Sequence, residues 1–445
     1  LRPHQVDGIE WLERVKRGLL ADSPRSGKTA QLLLAADGPT LVIAPSDLRE
    51  GWRTQHALWR PDLDMTFTGF ASIAQRAPNA HGHMRKTVPI LKPDYRRAWG
   101  TVIIDEAHMV VNPKANWTGA IKTLKSERLY LATGTPIPNW AHELLMPLRL
   151  LFPSDKRFTN KQRWLETWFQ LWQPPWGGQQ IVFTNGNDGL HHGLTWPDFW
   201  QGNGLDGFNG HMLQRDVDLG VPFTETVIEV DMTPSQAKAY RELKRDYITW
   251  IDTTGDEVSA WSDGGLHVKL AKCATGLESL TDGSASGSGK FAVLSNLLLE
   301  SPRSPTLVFC HFRSTVTAVA ALAVKLGVRV VEHHGGVTID ARDDAKAAFQ
   351  RGDVDVLVGT IDTLALGKDL SAARTEVFVE HSWVPWKNDQ VIKRAMIHGK
   401  TAPVSIFHLW TRGTVDTGMR ARVAGKSAQQ VNALTAREFR SVIDG

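Results

Sequence analysis

The 445 residues carry 42% hydrophobic and 22% charged side chains, a globular balance that excludes fibrous and disordered classes. The length calls for more than one core, and a net charge of +4 permits a polyanionic partner without proving one. Apolar runs fall short of the roughly 18 residues of a membrane span, Leu1-Arg2-Pro3-His4-Gln5 does not read as a signal peptide, and Cys273 and Cys310 alone build neither a disulfide framework nor a zinc finger, so a reducing cytoplasm is the expected location.

In chain order, apolar Leu19-Leu20-Ala21 leads into Ser26-Gly27-Lys28-Thr29 and then helical Ala30 to Ala36. Strand, loop and helix in that order suit a phosphate-binding loop. Backbone N–H groups and the helix N-terminus face the phosphates, Lys28 neutralises them, and the Thr29 hydroxyl reaches Mg2+. Asp22 stands at the first Gly of the general pattern, and a chance surface turn competes with this reading. Leu41-Val42-Ile43-Ala44, Val102-Ile103-Ile104 and Leu129-Tyr130-Leu131 read as buried strands alternating with helices, which predicts a parallel sheet covered on both faces. Ile103-Ile104-Asp105-Glu106-Ala107-His108 places two carboxylates at the exit of such a strand, where ligands of parallel sheets bind. Asp105 is expected to hold Mg2+, largely through water, and Glu106 to polarise an attacking water. The bland alternative, an acidic pair capping a helix, loses weight downstream of a phosphate loop.

The middle differs in character. Trp164, Trp168 and Trp172 recur every four residues, a helical stripe closed by Pro174-Pro175, and packing is a better account of it than base stacking. Residues 183–210 read as a loop-heavy insertion, Thr233 to Ile251 as a helix with Thr233 or Ser235 near its N-cap, and residues 282–289 as a flexible linker. Strand candidates return at Thr306-Leu307-Val308-Phe309, Val328-Arg329-Val330-Val331, Val354-Asp355-Val356-Leu357-Val358 and Glu376-Val377-Phe378-Val379, with a helix over Val316 to Leu326. The fold class expected is α/β, two parallel-sheet lobes at 1–152 and 290–413, a helical Trp-rich insertion and linker at 153–289, and a tail at 414–445. The pairs His81/His83, His191/His192 and His333/His334 read as surface or loop histidines rather than metal ligands, and Cys310 as inert core.

Taken together, these segments resemble helicase superfamily 2, and within it the Snf2-type DNA translocases. Leu1-Arg2-Pro3-His4-Gln5-Val6-Asp7-Gly8 resembles the opening element in which Gln5 reads adenine. Ala21 to Thr29 resembles motif I, Leu41 to Trp52 motif Ia, Asp105 to His108 with Asn112-Pro113-Lys114-Ala115 motif II, and Thr133-Gly134-Thr135-Pro136-Ile137-Pro138-Asn139 with Glu143-Leu144-Leu145 motif III. Met212-Leu213-Gln214-Arg215 and Thr233-Pro234-Ser235-Gln236 to Tyr240 resemble the inter-lobe segment. Thr306 to Phe312 resembles motif IV, Gly335-Gly336 to Asp355 the stretch before motif V, Thr360 to Ala373 with Gly367-Lys368-Asp369-Leu370 motif V, and Asp389-Gln390 to Gly399 motif VI. Each motif is weak alone; their shared order is what makes the signal specific.

The resemblance implies two RecA-like lobes across a cleft, with ATP and Mg2+ as cofactors and double-stranded DNA, held without sequence readout, as partner. ATP would be bound by Gln5, Ser26, Gly27, Lys28 and Thr29, with Gly367 and Asp369 from motif V, and Mg2+ by Thr29 and Asp105. The catalytic set would be Lys28, Asp105, Glu106, Arg394 and Gln390. Phosphate-backbone contacts would come from Ser46, Arg49, Thr135, Asn139, His311, Arg313 and Thr360. Two departures stand out. Arg25 replaces the usual middle Gly of motif I, which is tolerable if its φ stays negative. Ile397 replaces the second Arg of motif VI, so that Arg394, His398 or Lys400 makes up the charge or turnover is slow. A strand-separating helicase on DNA or RNA, and a degenerate ATPase that only binds DNA, are the rival readings.

Overall fold

Two six-stranded sheets, parallel at every pairing, carry the architecture. The computed structural model describes residues 1–78, 87–112, 115–137, 141–172, 180–181, 190–191, 193–205, 210–250, 257–260, 263–281, 285–300, 304–365, 369–421 and 423. The chain divides into two compact units, the first built on Leu1–Val217 and the second beginning at Asp218.

In the first unit, β1 (Arg17–Leu20), β2 (Thr40–Ala44), β3 (Met65–Gly69), β4 (Ala98–Asp105), β5 (Lys125–Ala132) and β6 (Met212–Leu213) lie in the order β6-β1-β5-β4-β2-β3. Leu41, Val42, Ile43 and Ala44 are all wholly buried, as are Val102, Ile103 and Ile104. Alternation decides where each goes. Leu41, Ile43, Val102 and Ile104 join one apolar cluster, while Val42, Ala44 and Ile103 join another. Successive side chains of a strand point to opposite faces, so an unbroken apolar run is what a sheet covered on both faces requires. Helices α1 (Pro3–Val15), α2 (Lys28–Ala35) and α3 (Arg49–Trp59) are among its coverings. The edge strand β3, Met-Thr-Phe-Thr-Gly, was not legible, because three of its five residues are only half buried and it has no apolar run.

The tryptophan stripe packs, but its helix is shorter than the spacing predicts. Helix α4 (Lys161–Trp168) stops at Trp168, and Leu171–Trp172 pairs as a strand with Gln180–Ile181. Trp164, Trp168, Phe169, Trp196 and Trp200 all set their rings 5.2–5.9 Å from that of Phe199, on helix α5 (Trp196–Gly202). On a helix Phe169 would point about 140° away from Trp164 at ~100° per residue. Burying both against Phe199 requires the chain to leave the helix first. The indole N–H of Trp164 donates to Asn203 Oδ1 at 2.9 Å, so its polar edge is satisfied as well.

In the second unit, β7 (Phe223–Val230), β8 (Thr306–Cys310), β9 (Val330–His333), β10 (Val356–Thr360), β11 (Thr375–Phe378) and β12 (Val404–Thr411) lie in the order β7-β12-β11-β8-β10-β9. The same alternation splits Leu307 and Phe309 from Val308 and Cys310. Strand β7 escaped the sequence reading because it is a mostly exposed edge strand. Helix α6 (Pro234–Asp246) is capped by Thr233, whose N–H donates to the Gln236 side chain, and it ends five residues short of Ile251. Tyr247 closes it at φ +62, and Ile248–Trp250 then pairs with Glu257–Ser259. Helix α7 (Gly289–Glu300) follows the Gly/Ser-rich stretch, and α8 (Arg313–Lys325), α9 (Ile361–Leu364) and α10 (Pro385–Ala395) complete the elements used below. Both lobes are therefore α/β with parallel sheets. Among the described residues no helix is long and apolar enough to cross a membrane.

Candidate nucleotide and nucleic-acid sites

In the first unit the predicted chemistry gathers at one sheet edge. The strand register aligns Leu20 with Ala132, Asp105 with Ala132, and Ile43 with Ile104. The loop after β1, the carboxylates at the end of β4, the Thr133–Thr135 segment after β5 and Ser46 after β2 therefore emerge side by side.

The phosphate loop is held from several directions. Asp22, wholly buried, accepts from Arg215 Nε at 2.9 Å and Nη2 at 2.6 Å, while Arg215 Nη2 also reaches Gln31 Oε1 at 3.1 Å. The carboxylate that broke the general motif is thus a brace, and Arg215 is its partner. The sequence marked Arg215 only as part of a connecting segment. His4 Nε2 lies 2.9 Å from the Ser26 carbonyl, and Gln5 Nε2 donates to the same oxygen at 3.3 Å, so α1 is docked on the loop. Gly27 has φ +84, and a Cβ there would stand 2.1 Å from Gln5 Nε2. Arg25 departs from expectation: its φ is +68, not negative. The loop keeps the backbone shape that a Gly would adopt and carries the strain of a Cβ in the left-handed region, roughly 1–2 kcal/mol.

Lys28 begins α2, and its ammonium donates to the carbonyls of Asp22 at 2.7 Å and Ser23 at 3.0 Å, bridging the mouth of the loop. Thr29 is the second residue of the same helix. The Ser26 hydroxyl is buried without a hydrogen bond among the described residues. A glycine cradle, an orphaned hydroxyl, a helix N-terminus and a lysine resting on carbonyls fit a phosphate group and its cation.

Asp105 and Glu106 complete the edge. The indole N–H of Trp52 donates to Asp105 Oδ2 at 3.0 Å, and the Glu106 N–H donates to Oδ1 at 3.0 Å. Burial and the neighbouring Glu106 carboxylate push Asp105 up to about 6, against the opposing pull of Lys28 and these two donors. A carboxylate so placed gains from a cation. Glu106 is in the left-handed region at φ +52, the second such residue at this edge. His108 Nδ1 lies 3.3 Å from Glu106 Oε2 and 3.3 Å from Thr133 Oγ1, tying the acidic motif to the Thr133–Thr135 segment, where the Thr135 N–H donates to Thr133 Oγ1 at 3.1 Å. A Cβ on Gly134 would meet the Pro24 ring at 2.8 Å, so that segment rests against the phosphate loop. Neither Trp52 nor His108 was assigned a role from sequence. Trp52 closed motif Ia and His108 closed motif II, which was the only available signal.

Of the proposed backbone contacts in this unit, Ser46 opens a short 3-10 turn and the Arg49 guanidinium lies 4.9 Å over the Phe67 ring. Asn139 lies outside the described residues, as do Pro113, Lys114 and Pro138 of the neighbouring motifs.

In the second unit, the register pairs Cys310 with Thr360, so His311, Arg313 and Thr360 leave adjacent strand ends. Glu380 fixes this edge. One oxygen accepts from the His311 and Phe312 N–H groups at 2.7 and 2.9 Å, and the other from Thr275 and Thr315 hydroxyls at 2.9 and 2.7 Å. Arg313 lies over Gly336, where a Cβ would stand 2.0 Å from Nη2. Thr360 Oγ1 lies 2.9 Å from Thr363 Oγ1. Gln390 is buried on α10. The Arg394 guanidinium is half buried and donates to the Ala365 carbonyl through Nε at 3.2 Å and through Nη2. Lys400 donates to the carbonyls of Ala373 at 2.5 Å and Ala395 at 3.0 Å, and His398 is exposed. Asp369 accepts from the Ser371 N–H at 2.9 Å, and Gly367 and Lys368 lie outside the described residues.

The remaining expectations resolve differently. His333 is no surface residue: it is buried, its Nδ1 is 3.1 Å from Thr363 Oγ1, and burial pulls it down to about 3. It is the one buried residue of β9, a strand otherwise half buried, which the His-His-Gly-Gly run did not reveal. His81, His83 and His192 lie outside the described residues. Burial pushes the Cys273 thiol up to about 12 and Cys310 well above its ordinary value, so both are inert core.

Comparison with known proteins agrees with this layout. Residues 4–174 match the family of the SNF2-related domain, and residues 289–399 match the helicase conserved C-terminal domain. An ATP-dependent DNA helicase of Arabidopsis thaliana is 25% identical over 96% of the chain, which spans 61% of that protein. A human SWI/SNF-related, matrix-associated, actin-dependent regulator of chromatin is 24% identical over 94% of the chain, which spans 42% of it. The SWI2/SNF2 ATPase core of Sulfolobus solfataricus, solved with double-stranded DNA, is similar over 99% of this chain and 96% of its own, at 20% identity and a TM-score of 0.40.

Proposed function

Because the chain belongs to the Snf2-related branch of the superfamily 2 helicase-type ATPases, we propose that it hydrolyses ATP to translocate on double-stranded DNA. The observation that carries the reading is the convergence on one sheet edge of the Lys28 loop, the Asp105–Glu106 pair and the Ser46–Arg49 segment. Nucleotide chemistry and a polyanion contact thereby share a single rigid frame.

Gln5 is proposed to recognise adenine, and Ser26, Gly27 and Lys28 to hold the β- and γ-phosphates. Lys28 would release the Asp22 and Ser23 carbonyls to do so. Thr29 and Asp105 would hold Mg2+, which when bound offsets charge on the phosphates. Glu106, held in a left-handed backbone beside His108, would accept a proton from the attacking water. Arg394 is assigned the arginine-finger role, with Gln390 beside it and Gly367 and Asp369 near the nucleotide. Ser46, Arg49, Thr135, Asn139, His311, Arg313 and Thr360 would bind phosphates, which position a protein on DNA without reading sequence. Within this proposal residues 1–152 and 290–413 are the motor lobes, 153–289 the insertion and linker, and 414–445 a brace.

Arg394 resting on a backbone carbonyl, next to Ile397, supports one second reading, an ATP-binding module with slow turnover. One experiment separates them. The translocase predicts ATP hydrolysis stimulated more by double-stranded than by single-stranded DNA, ATP-dependent release of a triplex strand, little unwinding of a forked duplex, and loss of all turnover in Lys28→Ala. DNA affinity should fall linearly with log salt, with a slope near −0.9 per phosphate contact. Absence of DNA stimulation would favour the module, and robust unwinding of a plain duplex a conventional helicase.

A further inference from the structure

Helix α3 follows the Ser46–Leu48 turn directly, and of its eleven residues only Trp52 is buried. The helix's one fully buried side chain, Trp52, is 2% exposed and lies within the cluster that also holds Val42, Ala44 and Ile103, with half-buried Trp59 packed against the same cluster. The polar end of the Trp52 side chain is bonded to Asp105 Oδ2. Arg49 stands three residues earlier on the helix, so Arg49 and Trp52 are neighbours on one face, about 4.5 Å apart along the axis at ~1.5 Å per residue. A displacement of Arg49 carries Trp52 with it, because the helix is the stiff connection between them.

The Asp105 carboxylate has two fixed donors, Trp52 on one oxygen and the Glu106 N–H on the other. The Glu106 donor is local and follows Asp105 wherever the strand end goes. Trp52 reports from a different element. A carboxylate offers about four acceptor positions, so these two bonds leave room for a hydrated cation while fixing the plane of the group. Outer partners of this kind orient a metal ligand, and their loss typically costs roughly 10–100-fold in metal affinity.

We infer that Trp52 is a positioning residue that couples the DNA-contacting turn to the Mg2+-holding carboxylate, so that phosphate binding at Ser46 and Arg49 sets the orientation of Asp105. The inference rests on the proposed assignment of those residues to DNA and of Asp105 to Mg2+. It requires no movement between lobes, since every group belongs to the first unit. Coupling between two binding events is reciprocal: DNA must raise Mg-nucleotide affinity by the same factor by which Mg-nucleotide raises DNA affinity.

The test is made by binding alone, on the full chain. Affinity for a fluorescent ADP analogue is measured with Mg2+ and with EDTA, each with and without a DNA duplex, in the parent and in Trp52→Phe. The variant keeps the ring in the core and deletes the donor. In the parent, duplex should tighten Mg-ADP several-fold, and the reciprocal effect on duplex affinity should match. In Trp52→Phe the Mg2+-dependent part of ADP affinity should fall about tenfold and the DNA–nucleotide coupling factor should move towards one. Coupling that persists at the parental factor in Trp52→Phe, or a parent that binds both ligands without coupling, overturns the inference. A parent that binds no nucleotide or no duplex overturns the functional proposal itself, a different result. Hydrogen exchange on the parent guards against a variant that does not fold. None of the proposed nucleotide and Mg2+ residues of the first unit lies on α3, yet Mg-ADP should slow exchange across 49–59 if Trp52 transmits its presence, and unchanged exchange there counts against the inference.

Discussion

The two sheets end in edges of opposite temperament. The first unit's edge stores strain and unspent polarity. Arg25 and Glu106 hold left-handed backbones, the Ser26 hydroxyl has no hydrogen bond among the described residues, and Lys28 rests on carbonyls that a phosphate can replace. The second unit's edge is braced rather than strained, although the buried Ser314 hydroxyl and His333 Nε2 there have no hydrogen bond among the described residues. Glu380 accepts four hydrogen bonds, Lys290 is buried against Asp416 at 2.7 Å and the Val379 carbonyl at 2.8 Å, and Arg394 lies on Ala365. Backbone strain persists where the surrounding structure over-determines it and clusters at ligand sites, whereas a bonded network without strain marks a frame. The comparison favours the first edge for the proposed chemistry and asks of the second a grip and one cation.

The largest expected effect tests that one cation. If Arg394 leaves Ala365 to stabilise the transferring phosphoryl group, single-turnover hydrolysis in Arg394→Ala should fall by roughly 10³–10⁵, the usual worth of an arginine finger, with little change in ATP affinity. Ile397→Arg should then raise turnover. If His398 is the cation instead, His398→Ala should cut turnover and Arg394→Ala should leave it at the parental rate. Parental turnover in both variants would leave the second edge as frame alone.

Next in size is the brace under the first edge. Arg215→Ala strands the wholly buried Asp22 carboxylate, and breaking a buried pair from one side costs about 3–5 kcal/mol. Denaturant unfolding of the first unit should show a loss of that order, and nucleotide affinity should drop with it. A double replacement, Asp22→Asn with Arg215→Met, should recover much of the stability. Equal losses in the single and double variants would mean that the pair is not the brace.

Sequence made the β-strands legible where they are buried on both faces, because burial on both faces leaves no polar alternation to confuse the pattern. It failed at β3 and β7, edge strands with half-exposed residues, and at the end of α4, where Phe199 recruits Phe169 out of helical register. At the site, Lys28, Asp105 and Glu106 could be named because phosphate chemistry demands those types at strand ends. Arg215, Trp52 and His108 could not: each acts through a partner distant in sequence, Asp22, Asp105 and Thr133 respectively. A side chain's hydrogen-bond partner across 25 to 193 residues leaves no periodicity to read.

Among the buried polar groups of the second unit that lack a hydrogen bond among the described residues, one is a carboxylate with none on either oxygen, and it lies away from the edge. Glu376 in β11 is wholly buried and neither oxygen has a hydrogen bond among the described residues. Burial raises its carboxyl well above the usual range, with Lys400 opposing and Glu225 adding to the rise. The folded state keeps a proton that the unfolded chain releases near pH 4.3. Stability of the second unit is therefore greatest below that pH as far as this group is concerned. It is lost as pH climbs towards the folded value, by about 1.4 kcal/mol per unit. Glu376→Gln should flatten that part of the stability profile and raise the melting temperature at neutral pH. An unchanged slope in Glu376→Gln would show that another group titrates.

The smallest effect distinguishes strain kept for function from strain that is merely tolerated. Arg25 and Lys16 both carry positive φ in the first unit, at +68 and +58. Lys16 closes α1 as its C-cap, a position where left-handed residues are routine. Replacing either by Gly relieves roughly 1–2 kcal/mol of backbone strain and gives back about 0.5–1 kcal/mol through the freer unfolded chain, a net gain of about 0–1.5 kcal/mol. On backbone grounds the two variants should melt alike, slightly above the parent. They should part in nucleotide binding. Lys16→Gly should bind the fluorescent ADP analogue as the parent does. Arg25→Gly frees a loop whose N–H groups must face the phosphates together, and should weaken binding by a few-fold. Equal ADP affinity in the two variants would mean that the arginine adds nothing to the preorganisation of the loop, and that its left-handed backbone is a relic of the glycine shape rather than a working part of the edge.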